Sequence, residues 1–594
     1  MNKRVKGILL GSALLAAPLL YAVPARNVVK TIVQPDGTTL QIKLCGDEFL
    51  RYYTTLDGVP VKEVGEGFYY AGLSADTLAV CSEQMAHEVE LRTVAEQQMA
   101  DSLKLAFDAS VTGIYEKRQN SRVIRRAPAR TTARTFGGQV LGEPMEGKKK
   151  GLVILVNFSD VQMTIPNPNE TFFRYMNEEG YKENGQYGSV RDYFLSQSYG
   201  RFDFSFDVVG PVTLSKSMDY YGRNVKDFDC RPGEMVLDAC LLVKDQVNFS
   251  DYDWDGDGEA EQIFVVYAGY AESNGAPSNT IWPHQSYVQN RDGSNLVIDG
   301  TIVGKYACSS ELTGTSGTTL SGIGTMCHEF SHCFGIPDFY DTYGSNFGMS
   351  VWSLMDYGCY NNNGNTPIGY TAYERMMCGW LDPIVLTEEQ AIRQMPPLSD
   401  SPVAYALFND ANEKEYYLLE NRQQKGWDTY MYGHGLMVVH VDYDARRWDY
   451  NTVNTQASRQ RMTIIPADNS LQTTVQSLAG DLFPGKSGIT EFTDFSTPRA
   501  LLHTPNKSGL ALMSKPIYNI TESDGMIGFD FLSKAPTAIQ TTMASSVESG
   551  VWTVYRMDGT RIGIISSDKE IQQLPDGIYL LRCGDVVRKV SKIR

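Results

Sequence analysis

The stretch Leu320–Asp341, LSGIGTMCHEFSHCFGIPDFYD, carries residues whose types and spacing suit a metal-assisted hydrolysis. On a helix turning about 100° per residue, His328, Glu329 and His332 share one arc, and Leu320, Ile323, Cys327, Phe330 and Phe334 fall on the other. Two imidazoles one turn apart can reach a single Zn²⁺, and the carboxylate between them sits beside the metal's open position. Gly335 supplies a left-handed terminator and Pro337 discourages continuation, so the chain turns back and offers Asp338 as a third, oxygen ligand. A zinc ion with three protein ligands keeps a place for water and lowers its pKa to about 7, and Glu329 can then take the water's proton. The expected chemistry is hydrolysis, first of all of a peptide bond. The competing account is a helix whose histidines only hydrogen-bond in a core, and Glu374 in a later helix is the rival third ligand.

A second cluster lies in DYDWDGDGEAEQIFVVYAG, where Asp251, Asp253, Asp255 and Asp257 alternate around Gly256. Alternating carboxylates about a glycine turn suit a hard, oxygen-seeking Ca²⁺ in a structural loop. Counted from Asp251, the twelfth position is Gln262, not a bidentate glutamate, and a strand follows where an EF-hand has a helix. Met355 and Tyr357 come 17 and 19 residues after Asp338; the tyrosine is a candidate oxyanion donor. His440 and Asp442 face the same side of a strand and are read as a structural pair.

The elements that must position these groups occupy several domains, as 594 residues require. Residues 1–25 read as a signal peptide: Lys3, Arg4 and Lys6, an apolar run from Ile8 to Ala22, and cleavage after Ala22 or Ala25. Residues 26–135 read as short strands, a helical stretch and an Arg-rich linker (Lys117–Arg134), suited to cutting by an Arg-specific activating protease. This region would then be a propeptide whose removal relieves latency, with Cys45 and Cys81 as thiol candidates for blocking the metal. A zinc catalytic domain spans 136–384, with buried strand GLVILVNFSDV and a helix from Val190 stopped by Gly200. An antiparallel β-domain spans 385–534, and 535–594 holds a linker and a small C-terminal β-module. The fold class is thus multidomain α+β. A net charge of −17 argues against nucleic acid as a partner, and no second apolar span follows the first. Ten cysteines are few for this length; Cys327 and Cys333, about 9 Å apart along one helix, cannot bridge.

HEFSHCFGIPD and SLMDYG together resemble the immune inhibitor A family of secreted bacterial metallopeptidases, within the metzincin group. The resemblance extends through GSVRDYFLSQSYG, the Asp-rich loop, YYLLENRQ and GHGLMVVHVD, roughly residues 150 to 530. It implies a metzincin-like catalytic domain with a mixed sheet and an active-site helix. It also implies zinc on His328, His332 and Asp338, Glu329 as general base, Met355 as the Met-turn beneath the metal and, more weakly, a mobile-tyrosine role for Tyr357. Asp338 departs from the histidine usual among metzincins and agrees with this family. Residues 551–594 resemble a type IX secretion sorting domain, implying export machinery as a partner and a secreted or surface-attached protein. The functional expectation is a secreted zinc endopeptidase made as a zymogen and acting on proteins. The alternatives are a surface adhesion protein with structural zinc and a zinc amidase acting on non-protein amides.

Overall fold

The computed structural model describes residues 23–26, 28–48, 50–74, 77–120, 134–225, 227–342, 344, 346–532, 551–556, 560–566, 570, 574–575, 577–583 and 586–592. Residues 1–22, most of the stretch read as a signal peptide, and residues 121–133 of the Arg-rich linker lie outside the described residues. Residues 1–532 form one compact unit and 533–594 a second.

Strand Gly147–Asn157 sits inside a five-stranded mixed sheet, between Phe202–Thr213 and Ile263–Tyr270, with Lys305–Leu312 and then His284–Tyr287 beyond. The first four strands in space run parallel; His284–Tyr287 pairs antiparallel with Lys305–Leu312 and forms the edge. Strands covered on both faces must be apolar throughout, which accounts for the run LVILV. Along it the period of two divides the labour. Val153 and Leu155 join the cluster holding Ile323, Met326, Cys327 and Phe330 of the helix Ile323–Cys333. Leu152, Ile154 and Val156 join the opposite cluster with Met235, Val236 and Cys240 of the helix Pro232–Val243. The histidine-bearing helix is therefore seated on one face of the sheet by its apolar side. The helix Val190–Gln197 starts at a capping box of Ser189 and Asp192 and packs in the same layer.

The strands after residue 384 do not make an independent, wholly antiparallel domain. Ile384–Val385 runs parallel to Tyr405–Asn409, and Asn412–Arg422, Gly435–Asp442 and Met462–Ile464 follow antiparallel. One face of this sheet (Tyr416, Leu418, Met437, Val439, Val441) belongs to the same apolar cluster as the histidine helix. The other face (Tyr417, Leu419, Leu436, Val438) packs with residues of the strands Gln390–Met395, Ile517–Ser523 and Met526–Phe531. Short alternating strands could be recognised from sequence; that both of their faces are buried could not.

Ahead of the five-stranded mixed sheet, six strands from Val29–Val33 to Thr77–Met85 form an antiparallel meander in chain order, followed by the helix Val94–Asn120. In the second unit, strands Trp552–Arg556, Arg561–Ile565, Gly577–Cys583 and Val586–Lys592 form one antiparallel sheet around Trp552, Val554 and Leu581. All ten cysteines are free thiols, and among the described residues no helix is long and apolar enough to cross a membrane.

Candidate metal centre

The helix ends as its sequence requires: Gly335 has φ +86°, and the chain reverses through Ile336 and Pro337 to Asp338. The reversal brings three ligand atoms together. His328 Nε2 lies 3.1 Å from His332 Nε2, and Asp338 Oδ1 lies 3.0 and 3.3 Å from those nitrogens. Three vertices of a tetrahedron with bonds of about 2.0–2.1 Å would be about 3.3–3.4 Å apart, so the triangle has the size zinc needs. Its polarity fits as well. Each Nδ1 lies 2.8 Å from a carbonyl, Leu354 O for His328 and Ile336 O for His332, and a carbonyl can only accept. The ring protons therefore sit on Nδ1, and both Nε2 lone pairs face a carboxylate oxygen. Three acceptors converging in a buried pocket repel one another unless a cation lies between them. Burial alone would raise Asp338; positive charge on the imidazoles outweighs it and holds the carboxyl down at about 2, a charge that a cation between the three atoms would supply in place of ring protons. Burial also depresses His332.

Glu329 is fully buried beside this group. Its Oε1 accepts from the Val23 backbone N–H at 2.9 Å, and no donor reaches its Oε2 among the described residues. Burial, with the Asp338 carboxylate nearby, pushes its pKa well above the ordinary glutamate range. Glu374, the rival ligand, lies outside the cluster. It caps its own helix at Thr371 and accepts from Ser353 Oγ and the Met355 N–H. That bond helps fix the turn at Met355, whose carbonyl accepts from the Phe339 N–H. Tyr357 lines a cleft of about 1190 Å³ together with Tyr340, Asp341 and Tyr360. Cys45 lies on the meander at hydrogen-bonding range of Lys43 O and Thr54, and Cys81 is exposed; neither joins the metal cluster.

Several contributors escaped the sequence reading. Asn451, 113 residues beyond Asp338, donates to Asp338 Oδ2 at 2.6 Å and accepts from the Asp338 N–H at 2.7 Å. It leaves Oδ1 directed at the histidines. Gly324 lets the histidine helix approach the 357–364 segment, since a Cβ there would stand 1.9 Å from Cys359 O. Nothing in the order of residues pointed to Asn451; Gly324 was visible only as a glycine within an amphipathic helix.

The acidic loop is organised one step later than its first aspartate suggests. Asp253, Asp255, Asp257 and Glu261 offer oxygens within 4.8 Å of one another. Asp251 is outside this group and accepts from Asn248 Nδ2. Counted from Asp253, the sixth residue is Gly258 (φ +89°), the position at which such loops need glycine for their turn. The twelfth then falls inside the buried strand Ile263–Tyr270, so Gln262 was never the closing ligand. His440 pairs with Glu415 at 3.1 Å, and Asp442 takes Arg459 and Arg461 at 2.7 Å, so both act as structural partners.

Residues 139–380 match the family Immune inhibitor A peptidase M6, catalytic domain. Among curated proteins, the chain is 23% identical over 337 residues to the pre-pro-metalloprotease PrtV of Vibrio cholerae serotype O1 (strain M66-2), covering 49% of this chain and 36% of that protein. It is 23% identical over 267 residues to immune inhibitor A of Bacillus thuringiensis subsp. alesti, covering 38% of each. The chain thus spans little more than a third of the length of these relatives. Over residues 139–380, this protein is therefore similar to the catalytic domain of the immune inhibitor A peptidases.

Proposed function

We propose that the protein is a zinc-dependent endopeptidase, exported and made latent, that cleaves protein substrates through Glu329. The observation that carries this reading is the buried triangle of His328 Nε2, His332 Nε2 and Asp338 Oδ1 beside a buried glutamate. Zinc in that triangle would supply a Lewis acid that acidifies a water and polarises the scissile carbonyl. The chain's own residues do the rest. Leu354 O and Ile336 O hold both imidazoles in the tautomer that presents Nε2, and Asn451 aims Asp338. Glu329 takes the proton of the attacking water at its carboxylate and passes it to the nitrogen of the departing peptide. Tyr357, on the segment that follows the turn at Met355, is assigned the oxyanion. The loop Asp253–Glu261 is assigned a structural Ca²⁺. We assign residues 1–25 to a signal peptide, the Arg-rich linker Lys117–Arg134 to activation by an Arg-specific protease, and the C-terminal sheet to export as a sorting module.

A casein zymogram of the trypsin-treated protein tests this reading. Clearing should appear for the wild type, disappear with a chelator, return with zinc, and be absent for Glu329→Ala. Clearing that survives the chelator, or an active Glu329→Ala, contradicts it.

A further inference from the structure

The meander strand Arg51–Thr55 sends a cation into a hollow lined with acids. Arg51 pairs through Nη1 with Glu272 Oε1 at 2.7 Å, and both side chains are nearly closed off from water. Its Nη2 donates to Ala276 O at 3.2 Å and to the hydroxyl of Tyr53 at 2.9 Å. Asn224 and Asp229 complete the lining. Asn224 Nδ2 donates to Glu272 Oε1 at 2.6 Å, and the Trp282 N–H donates to Asp229 Oδ2 at 2.8 Å. The other end of Trp282 places the hollow near the chemistry: its Nε1 reaches Val23 O, whose own N–H meets Glu329. Among the described residues, Arg51 is the one cation paired with Glu272. Burial, with the Glu272 carboxylate beside it, raises Asp229 well above the ordinary aspartate range, and burial raises Glu272 even with Arg51 in contact.

A plain ion pair between two parts of the chain would account for Arg51 and Glu272, but the hollow holds more acceptors than Arg51 uses. Asp229 Oδ1 and Asn224 Oδ1 are buried and meet no N–H donor among the described residues, while Arg51 Nε is buried with no acceptor. Arg51 cannot turn to serve them, because its backbone is fixed in register opposite Gly46. A guanidinium with five donors in a planar fork, entering at another angle, can reach these oxygens together with Glu272 and Ala276 O. We propose that, once the meander has left, the hollow of Asn224, Asp229 and Glu272 takes an arginine side chain of the substrate and so selects proteins cut close to an arginine. Asp229 and Glu272 are then the specificity-determining pair, and Asn224 holds Glu272 in place. The inference rests on the peptidase reading, in which cutting of the linker frees the meander, and deepens it by naming the substrate class.

The test has a binding arm and a cleavage arm. In the full chain, Arg51→Ala opens the hollow. By calorimetry, N-acetyl-arginine amide should bind this variant and not the wild type, and should bind Arg51→Ala/Glu272→Gln on the order of thirtyfold more weakly. The trypsin-treated wild type, purified from trypsin and scored only for chelator-sensitive cuts, should cleave a peptide library with arginine enriched at one fixed distance from the scissile bond. Glu272→Gln should lose that enrichment and raise KM for arginine-bearing peptides on the order of thirtyfold. Chelator-sensitive cleavage indifferent to arginine overturns the proposal, as does a Glu272→Gln enzyme that keeps the preference. Uptake of Ca²⁺ by Arg51→Ala without uptake of the amide overturns it as well. Binding of the amide with no chelator-sensitive cut upholds the arginine site and overturns the peptidase reading.

Discussion

Among the described residues two clusters of side chains could ligate a metal, and they differ in what would happen to them empty. In the Asp253–Glu261 loop the carboxylates already have partners: Asp253 accepts from the Gly256 and Gly258 N–H groups, Asp255 from Asp257 N–H, and Asp257 from Glu259 N–H. Its aspartates are exposed or half-exposed to water. An ion there would improve a turn that can exist without it. At His328, His332 and Asp338 every ligand is buried, and three acceptors face one another with only a carboxylate beside them. Solvation is unavailable, so a cation is the natural resolution. A count of carboxylates, four against one, would rank the clusters the other way; the histidine spacing already placed the buried cluster first, and burial and hydrogen bonding give the physical reason.

The largest effect expected from this contrast is at Glu329. Glu329→Gln should lower peptide hydrolysis by about 10²–10⁴-fold while leaving bound zinc unchanged, measured by turnover and metal content together. Asp255→Asn should leave turnover at saturating calcium close to wild type; an equal loss at both positions would erase the distinction. Next comes Asn451→Ala, expected to weaken zinc binding by about 10–100-fold in chelator competition, because Asp338 loses the donor that orients it. For the exposed loop, removing calcium should lower the thermal midpoint by roughly a few degrees, and Asp253→Asn should abolish that calcium dependence. Zinc content should not follow it.

The smallest effect concerns a third group, buried like the histidine cluster, that needs no ion. Burial would raise Glu415, but His440 and the N–H groups of His503 and Thr504 outweigh it and hold the carboxyl at about 2. Its folded pKa is depressed, so its contribution is complete above the ordinary value of 4.5 and is lost as pH falls toward about 2. Glu415→Gln should flatten the acid side of the stability profile in that window, as followed by fluorescence, with zinc retained at neutral pH. Buried carboxylates supplied with donors thus stand apart from those left facing lone pairs.

What could be read from sequence was whatever is local. The helix Ile323–Cys333, its terminator at Gly335 and the return to Asp338 all lie within 16 residues, where periodicity and backbone preference decide. The same holds for the buried strand at Gly147–Asn157 and the strands of the C-terminal sheet. What escaped was contact across long separations. Asn451 reaches Asp338 over 113 residues, and Val23 reaches Glu329 over 306. The later sheet could be recognised as strands, yet Tyr416 and Val439 share a cluster with the histidine helix, a fact carried by packing and not by pattern. The acidic loop was half legible: its chemistry was plain, but its register depended on recognising Gly258, not Gly256, as the residue that fixes the turn.

X-ray absorption at the zinc edge of the purified chain tests the central claim most directly. The account predicts one tightly bound zinc with two imidazole nitrogens and oxygen donors at about 2.0–2.1 Å, and no sulfur. A preparation without zinc, or a shell containing cysteine sulfur, would contradict it.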